Sequence, residues 1–590
     1  MSTDGSGTPA ARTPGGGEGA AEPSPRRWLA LCVLLVAGFM DLLDVTIVNV
    51  TIPTILEDLD AEYSQIEWVI AGYVLGFAGL LITGGRLGDT YGRKRVFLAG
   101  VAGFTVASLL CGLATSAEVL IGARFVQGAM SGLMVPQILS IMHVTFPAGE
   151  RGKVLGIWGG VLGSASAAGL VTGGVLLEWN PAGLEWRSIF LVNLPIGIAT
   201  LIAAWFLVQE STSPAASRLD PIGAVLSIAG VLMLVYPLME GRSLGWPAWS
   251  FGLMAGSVAV LTGFVLYERW HSRTQGSPII VLGLFRTRAF SSGMAVWLLF
   301  WTVLGGFFLV WTLYMQVGLG WTPIRAGLTS LGFAVGGATG AGLAVQVFTP
   351  RFGRRVLLAG ALMNAAGFAA YGWAAAELGT DVRSWQMLPP LVVAGFGFGL
   401  VVAPMVDAIL TGVPRRHAGS ASGVLNTTQQ VGMALGVALA GVLFFGWIDR
   451  NADHGVDETV PALRQELAAA GVPAAARGEV ITGFRTCVRE RSGASDPTEI
   501  PASCRADGGG QGARALRELL TRTGEQANGH NFAGGFAVTL GYAAGMLVLV
   551  CLGVFAVPRR IEARDLDAEI GPADGPVPVG GGSAPPRRRG

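Results

Sequence analysis

The chain has 590 residues, of which 51% are hydrophobic and only 13% charged, about half the charged fraction of a typical soluble domain. That balance excludes a water-soluble core as the home of most residues, and a net charge of +1 gives no electrostatic reason to expect nucleic acid or an acidic partner. Apolar runs recur about every 30 residues from Trp28 to Val557, most near or above the ~20 residues that cross hydrocarbon as a helix.

Residues 1–27 are rich in Gly, Pro, Ala and Ser and contain no apolar run, so they read as a disordered tail rather than a signal peptide. Fourteen spans follow, predicted at 28–53, 66–86, 95–115, 119–143, 154–177, 187–208, 220–240, 250–267, 290–316, 326–348, 355–376, 388–411, 420–447 and 532–557. Alternate loops collect basic residues: Arg93, Lys94 and Arg95; Arg151 and Lys153; Arg218; Arg269, Arg273, Arg286 and Arg288; Arg351, Arg354 and Arg355; Arg415 and Arg416. The opposite loops offer only Arg242, Arg325 and Arg383. Cytoplasmic loops collect Lys and Arg, so both termini are expected in the cytoplasm, including the disordered tail 558–590 with Arg559, Arg560, Arg587, Arg588 and Arg589. Lysine occurs only at Lys94 and Lys153 against 88 glycines, a bias of high-GC bacterial genomes, which makes a bacterial cell membrane the expected location.

The outside loop 449–531 is long enough to escape the charge rule. Its stretches 460–470 and 511–522 look helical, and either a small partly ordered cap or a loose loop would fit. Cys487 and Cys504 fall there, on the oxidising side, which invites a disulfide. The fifth and thirteenth spans align at an offset of 267, placing Gly152, Gly156, Gly169 and Gly174 on Gly419, Gly423, Gly436 and Gly441, as in transporters built from repeated halves.

The acids deepest in a span are Asp41 and Asp44, and a mid-membrane charge costs ~2.5–3.5 kcal/mol even on insertion scales. Asp44 and Arg124 should differ in depth by only about 6 Å at 1.5 Å per residue, so they can meet. Asp44 then either binds and releases a proton, or faces a cationic substrate, with Arg124 tuning it; a permanent structural ion pair is the alternative. Asp41, one turn earlier, shares that expectation. Asp407, near a span end, fits a solvated or capping role, and His143 is assigned no chemistry. In the ninth span Trp297, Trp301, Phe308 and Trp311 recur near helical spacing, which suits a cavity for flat or cationic molecules or an interfacial belt. Asn426, Gln429 and Gln430 suit cavity hydrogen bonds or helix contacts. No phosphate-binding Gly-rich loop, Cys/His metal spacing or nucleophile motif is present, so no enzyme activity, cofactor or metal is expected.

The segment Gly85-Arg86-Leu87-Gly88-Asp89-Thr90-Tyr91-Gly92-Arg93-Lys94 resembles the signature loop between the second and third helices of the major facilitator superfamily. Leu43 to Pro53, Arg124-Phe125-Val126-Gln127-Gly128 and Trp186 to Gly197 are similar to motifs of its fourteen-span drug:proton antiporters, the QacA-type and EmrB-type exporters. Where such antiporters carry glycine-proline before a glycine pair, this chain reads Gly169-Leu170-Val171-Thr172-Gly173-Gly174. The glycines keep close packing, while the missing proline removes a bend and bears on strict antiport.

The resemblance implies an all-α major facilitator fold with six-helix bundles at 28–210 and 290–557 and two inserted helices within 211–289. It implies a monomer in the lipid bilayer that exports lipophilic or cationic small molecules against protons by alternating access. Asp44 would be the coupling acid, with Asp41, Arg124 and Gln127 assisting. Gly85, Asp89, Gly92, Arg93 and Lys94 would latch the state closed toward the cytoplasm. An uptake carrier on the same fold, or a lipid-handling or envelope-assembly protein acting through loop 449–531, are the rival readings.

Overall fold

The computed structural model describes residues 26–557 except 62, 213–219, 242–243, 275–277, 412, 415–416, 494–501 and 505–510. Residues 1–25 and 558–590, Arg218, Arg242, Arg415 and Arg416 lie outside the described residues, as does the side chain of Leu170.

Eighteen helices carry the described chain. In the first half they are α1 (Arg27–Asp58), α2 (Tyr63–Tyr91), α3 (Arg93–Gly112), α4 (Ala117–Thr145), α5 (Ala148–Trp179), the single turn α6 (Ser188–Leu191) and α7 (Asn193–Leu207). The inserted pair is α8 (Pro221–Glu240) and α9 (Ala248–Thr274). The second half holds α10 (Arg288–Leu313), α11 (Pro323–Leu343), the short α12 (Thr349–Phe352), α13 (Arg355–Leu378), α14 (Ser384–Thr411) and α15 (Ala418–Arg450). Then come α16 (Ala452–Ala469), α17 (Ala474–Gly493) and the 44-residue α18 (Gln511–Val554). Among the described residues thirteen stretches are long and apolar enough to cross a bilayer. The 32-residue α5 packs against α1 and α11.

Helix starts follow their caps. Asp220 accepts the N–H groups of Ile222 and Gly223 with Pro221 in the first turn of α8, and Thr322 caps α11 ahead of Pro323, both ordinary start chemistry. Large apolar side chains such as Ile198, Ile202, Trp205, Val225, Phe251, Val258 and Trp373 face outward, as lipid contact requires.

Inside the bilayer close approach depends on small residues, and the fifth and thirteenth spans show it in pairs. At Gly169 of α5 a Cβ would strike Leu43 and Thr46 of α1, and at Gly436 of α15 it would strike Thr302 and Gly306 of α10. Gly156 lies against Ala341 of α11, while Gly423 lies against Leu81 and Ile82 of α2. Each of these helices therefore packs within its own half through one glycine and across to the other half through another.

Several sequence-based limits are corrected. The sixth span is broken: a 3-10 turn at Glu185–Arg187 and α6 precede α7. The last begins far before 532, because α18 rises unbroken from the loop into the membrane. The loop itself is helical: α16, α17 and the first turns of α18 enclose a core of Val456, Leu463, Leu467, Phe484 and Val488, and Cys487 is bonded to Cys504.

Candidate functional site

The most polar buried region of the first half lies where α1, α3, α4 and α7 meet. Asp44 is completely buried. Arg124 Nη1 donates to Asp44 Oδ2 at 2.5 Å and to Gln127 Oε1 at 2.8 Å. Asp44 Oδ1 accepts from Gln127 Nε2 at 2.9 Å and from Asn193 Nδ2 at 2.7 Å. Ser108 Oγ accepts from both Gln127 and Asn193 and donates to the carbonyl of Phe190. Arg124 Nε reaches the carbonyl of Val69, and its guanidinium sits 4.3 Å from the Tyr73 ring. Spacing explains the convergence: Arg124 and Gln127 are three residues apart on one face of α4, and Asn193 stands at the start of α7.

Asp41 does not join this network through a shared donor. Its Oδ1 accepts from Tyr73 Oη of α2 at 2.5 Å and from Ser131 Oγ of α4. Two carboxylates one turn apart are thus held by separate donors, Asp44 by a cation and two amides, Asp41 by two hydroxyls. Asp44 sits in a charge-compensated cage, whereas Asp41 accepts from neutral groups. The sequence reading missed Tyr73, Ser108, Ser131 and Asn193. Ser131 lies seven residues after Arg124, two turns along the same face, and that spacing could have found it.

The residues of the signature loop join the halves. Arg93 Nη2 donates to Asp89 Oδ1 at 2.6 Å, both side chains being buried. Asp89 also accepts the first N–H groups of α15, from Gly419 at 3.1 Å and Ser420 at 3.0 Å, so an acid of the first half caps the positive end of a helix of the second. Gly85 meets Gly419 so closely that neither could carry a Cβ. Gly92 turns the chain at a φ of 107°, a region that favours glycine. Glu210 accepts the N–H groups of Lys94 and Arg95 and so holds the start of α3. Lys94 Nζ reaches the carbonyl of Trp205 at 2.6 Å, on its own half. Two further bonds cross at this end, Ser422 Oγ to the Pro136 carbonyl and His143 Nε2 with the Val413 carbonyl. His143, Arg151 and Asp407 line a small cleft between the halves there, so Asp407 lies at an interface rather than in open solvent.

In the second half Trp297 and Trp301 are buried rather than set in an interfacial belt. Trp297 Nε1 donates to the Leu425 carbonyl, and Trp301 packs edge-on to Phe398. Phe308 is half-buried against Phe307 and Phe333, and Trp311 donates to Tyr371. Asn426 donates to the Ser422 carbonyl of its own helix, while Gln430 is half-buried on α15. These residues form the aromatic interior of one half; the structure does not bring them to the Asp44 cluster. Gly173 is buried, and Gly174 lies against Ile324 of α11. Among the described residues no group of three His, Cys, Asp or Glu is placed to hold a metal.

The described residues form a bundle of membrane helices in two halves, with an ion-paired acid inside one half and charged contacts between them. Residues 34–437 match the family model of the Major Facilitator Superfamily, and the chain belongs to that family. It is 39% identical over 559 residues to a probable actinorhodin transporter of Streptomyces coelicolor, covering 94% of this chain and 96% of that protein. It is 33% identical to a tetracenomycin C resistance and export protein of Streptomyces glaucescens, over 77% of this chain and 83% of that one. Among solved structures, the proton:xylose symporter XylE bound to 6-bromo-6-deoxy-D-glucose matches with a TM-score of 0.51 at 15% identity, covering 72% of this chain and 90% of that one.

Proposed function

We propose that the protein exports a lipophilic small molecule, of the antibiotic class its relatives are named for, in exchange for protons, with Asp44 as the coupling acid. The observation that carries this is the fully buried Asp44–Arg124 pair at the junction of α1, α4 and α7, because ionisable groups inside a membrane bundle mark ion pathways. Arg124, Gln127 and Asn193 hold the carboxylate. Asp41, held by hydroxyls, is the intermediate station toward the latch. Substrate would lie between the halves, against the α10 and α15 faces that carry Phe308 and Gln430. The Asp89–α15 contact fits a latch on the cytoplasmic side, and both ends of the described chain emerge at that same end, Arg27 beside Glu150 and Val557 beside Arg354. That arrangement fits cytoplasmic termini.

The test loads energised inside-out vesicles with a pH-sensitive dye and adds a panel of aromatic and lipophilic antibiotics. Proton efflux triggered in the wild type and lost in Asp44→Asn is expected. Flux that is independent of the gradient and survives Asp44→Asn would instead mean facilitated diffusion. The helical outside cap, with a core of its own, favours a recruiting role as a second reading. Deleting residues 460–525 separates the two: a lost cellular phenotype with transport intact would mean recruitment.

A further inference from the structure

The inserted helices α8 and α9 pack on each other, and α8 packs against α2 and α15, the two helices that the latch joins. Near the latch they bury acids with little compensation. Glu268 of α9 is completely buried; its Oε1 accepts from the Ile279 N–H at 3.2 Å, and its Oε2 has no hydrogen-bond partner. Asp220, 3% exposed, accepts from Ile222, Gly223 and the Tyr267 hydroxyl on Oδ1, while its Oδ2 accepts no hydrogen bond. A methyl placed on Gly223 would lie 2.7 Å from Asp220 Oδ2 and 2.8 Å from Glu268 Oε1, so the two carboxylates face one point. Arg86 of α2, 4% exposed and with Nε unpartnered, stands within electrostatic reach of both Glu268 and Asp89.

We infer that the inserted hairpin carries a second proton-binding site, the Glu268 carboxylate, wired to the latch through Arg86 and the linker that enters α10. The wiring is continuous: Glu268 holds the Ile279 N–H, the Ile279 carbonyl accepts from Ser420 Oγ at 3.0 Å, and the Ser420 N–H is one of the two that Asp89 caps. The charges facing the site are Arg86, Asp89 and Arg93 of α2 and the turn after it, Asp220 at the head of α8, and Tyr267 and His271 of α9. His271 Nε2 stands 4.0 Å from Asp220 Oδ2. From α15 come Ser420 and the preceding His417. Three carboxylates thus share two guanidiniums, and one proton balances them. It goes to Glu268 because Asp220 accepts three hydrogen bonds on Oδ1 and has the His271 imidazole 4.0 Å away, which favour its anion, whereas Glu268 is held by the linker backbone through Oε1 and has a bare Oε2.

While Glu268 is ionised, Arg86 is divided between two acids and the linker is gripped. A proton from water on Glu268 Oε2 leaves Arg86 to Asp89 alone, which weakens the cap on α15 and loosens the linker. Acid therefore opens this end, independently of the Asp44 site.

The full chain in nanodiscs, with Cys32, Cys111 and Cys551 replaced by serine, is spin-labelled at Tyr91→Cys and Phe352→Cys. Distances across the latch end are then measured between about pH 5 and pH 9, where buried carboxylates can be brought to titrate. The closed-to-open ratio should rise about tenfold with pH in the parent, the change carried by one unit of coupling. It should stay at its acid value in Glu268→Gln and titrate again in Glu268→Asp. A Glu268→Gln protein that titrates like the parent, or a parent ratio flat across that range, overturns the inference. Should Glu268→Gln fail to fold, Arg86→Gln serves, since cutting the wire must also flatten the titration. Asp44→Asn should leave the titration unchanged. Loss of proton exchange in that variant bears on the export reading alone, so the two ideas fail separately.

Discussion

The Asp44–Arg124 pair can be tested as a thermodynamic unit. Asp44 is fully buried and accepts three hydrogen bonds, and Arg124, 1% exposed, donates to Asp44, Gln127 and the Val69 carbonyl. Removing one partner of a buried pair leaves an uncompensated charge, a loss of about 3–5 kcal/mol, so Asp44→Asn and Arg124→Gln should each destabilise the protein by about that much. The double variant places two amides where two charges were. It should lose only the difference between charged and neutral hydrogen bonds, about 1–2 kcal/mol. The coupling between the positions is therefore at least about 3 kcal/mol, well outside the ~0.5 kcal/mol within which independent sites add. The assay is reversible unfolding in mixed micelles of the four proteins of the cycle, read by tryptophan fluorescence. Additive losses would refute the reasoning, because they would mean that water already solvates the pair. Drug-triggered proton efflux should be absent from all three variants, the stable double one included, which separates folding from coupling.

Gly85→Val puts a side chain onto the Gly419 carbonyl, so the latch end should stay apart, labelling of a cysteine at Ser422 should rise, and export should cease with the protein still inserted. Gly92→Ala, at a φ of 107° and facing the Glu210 carboxylate, should cost about 1 kcal/mol or more in unfolding measurements, by the strain of a left-handed non-glycine. In the outside cap, Arg489 donates twice to Asp453 and holds that carboxyl below its usual range. A depressed native value means stability present above the ordinary aspartate value of 3.8 and lost as the pH falls through the native one. Hydrogen exchange in α16 and α17 should therefore quicken in acid in the wild type, and Arg489→Ala should weaken that pH dependence, leaving the part due to Arg485, 3.8 Å from the same carboxylate.

What the sequence revealed and what it hid follow from the physics of each region. Lipid demands long apolar helices, so most spans were legible from runs of residues alone. The contact between the halves at Gly85 and Asp89 was legible as a motif because its glycines and charges lie within ten consecutive positions. The acid cluster was only half legible: the membrane cost of a charge flags Asp44, Asp41 and Arg124, but neutral Tyr73, Ser108, Ser131 and Asn193 carry no such cost and look like ordinary polar residues until the fold brings them together. The aromatic residues of α10 misled for a related reason, since Trp and Phe suit a belt, a cavity or a core equally, and only packing against α14 and α15 decides. The cap exposes a different limit. Its helices are amphipathic and charged, hence soluble in character, and their core forms only when α16 and α17 meet the extension of α18. Glu268 went unremarked because it sits at the end of a span, where an acid is cheap if water reaches it; the linker at Ile279 covers it.

The placement of donors distinguishes the two acids of α1. A ligand shifts a conformational equilibrium only through its different free energy in the two states. Asp44 is held by Arg124 and Gln127 of α4 and Asn193 of α7, and Arg124 in turn bonds the Val69 carbonyl and stacks on the Tyr73 ring of α2, so α2 reaches Asp44 through one intermediary. Asp41 is held by Tyr73 of α2 and Ser131 of α4, and these are the helices that reach across, α2 through Gly85 and Asp89, α4 through Pro136 and His143. Tyr73 stands sixteen residues from Asp89 on one continuous helix, about 24 Å at 1.5 Å per residue, close to the thickness of the hydrocarbon. Tilting α2 to part the latch must swing the Tyr73 hydroxyl relative to α1. The free energy of a proton therefore depends on the state of the latch directly at Asp41 and through Arg124 at Asp44, and the same helix that closes one end of the protein sets the hydrogen bonding of acids deep inside it.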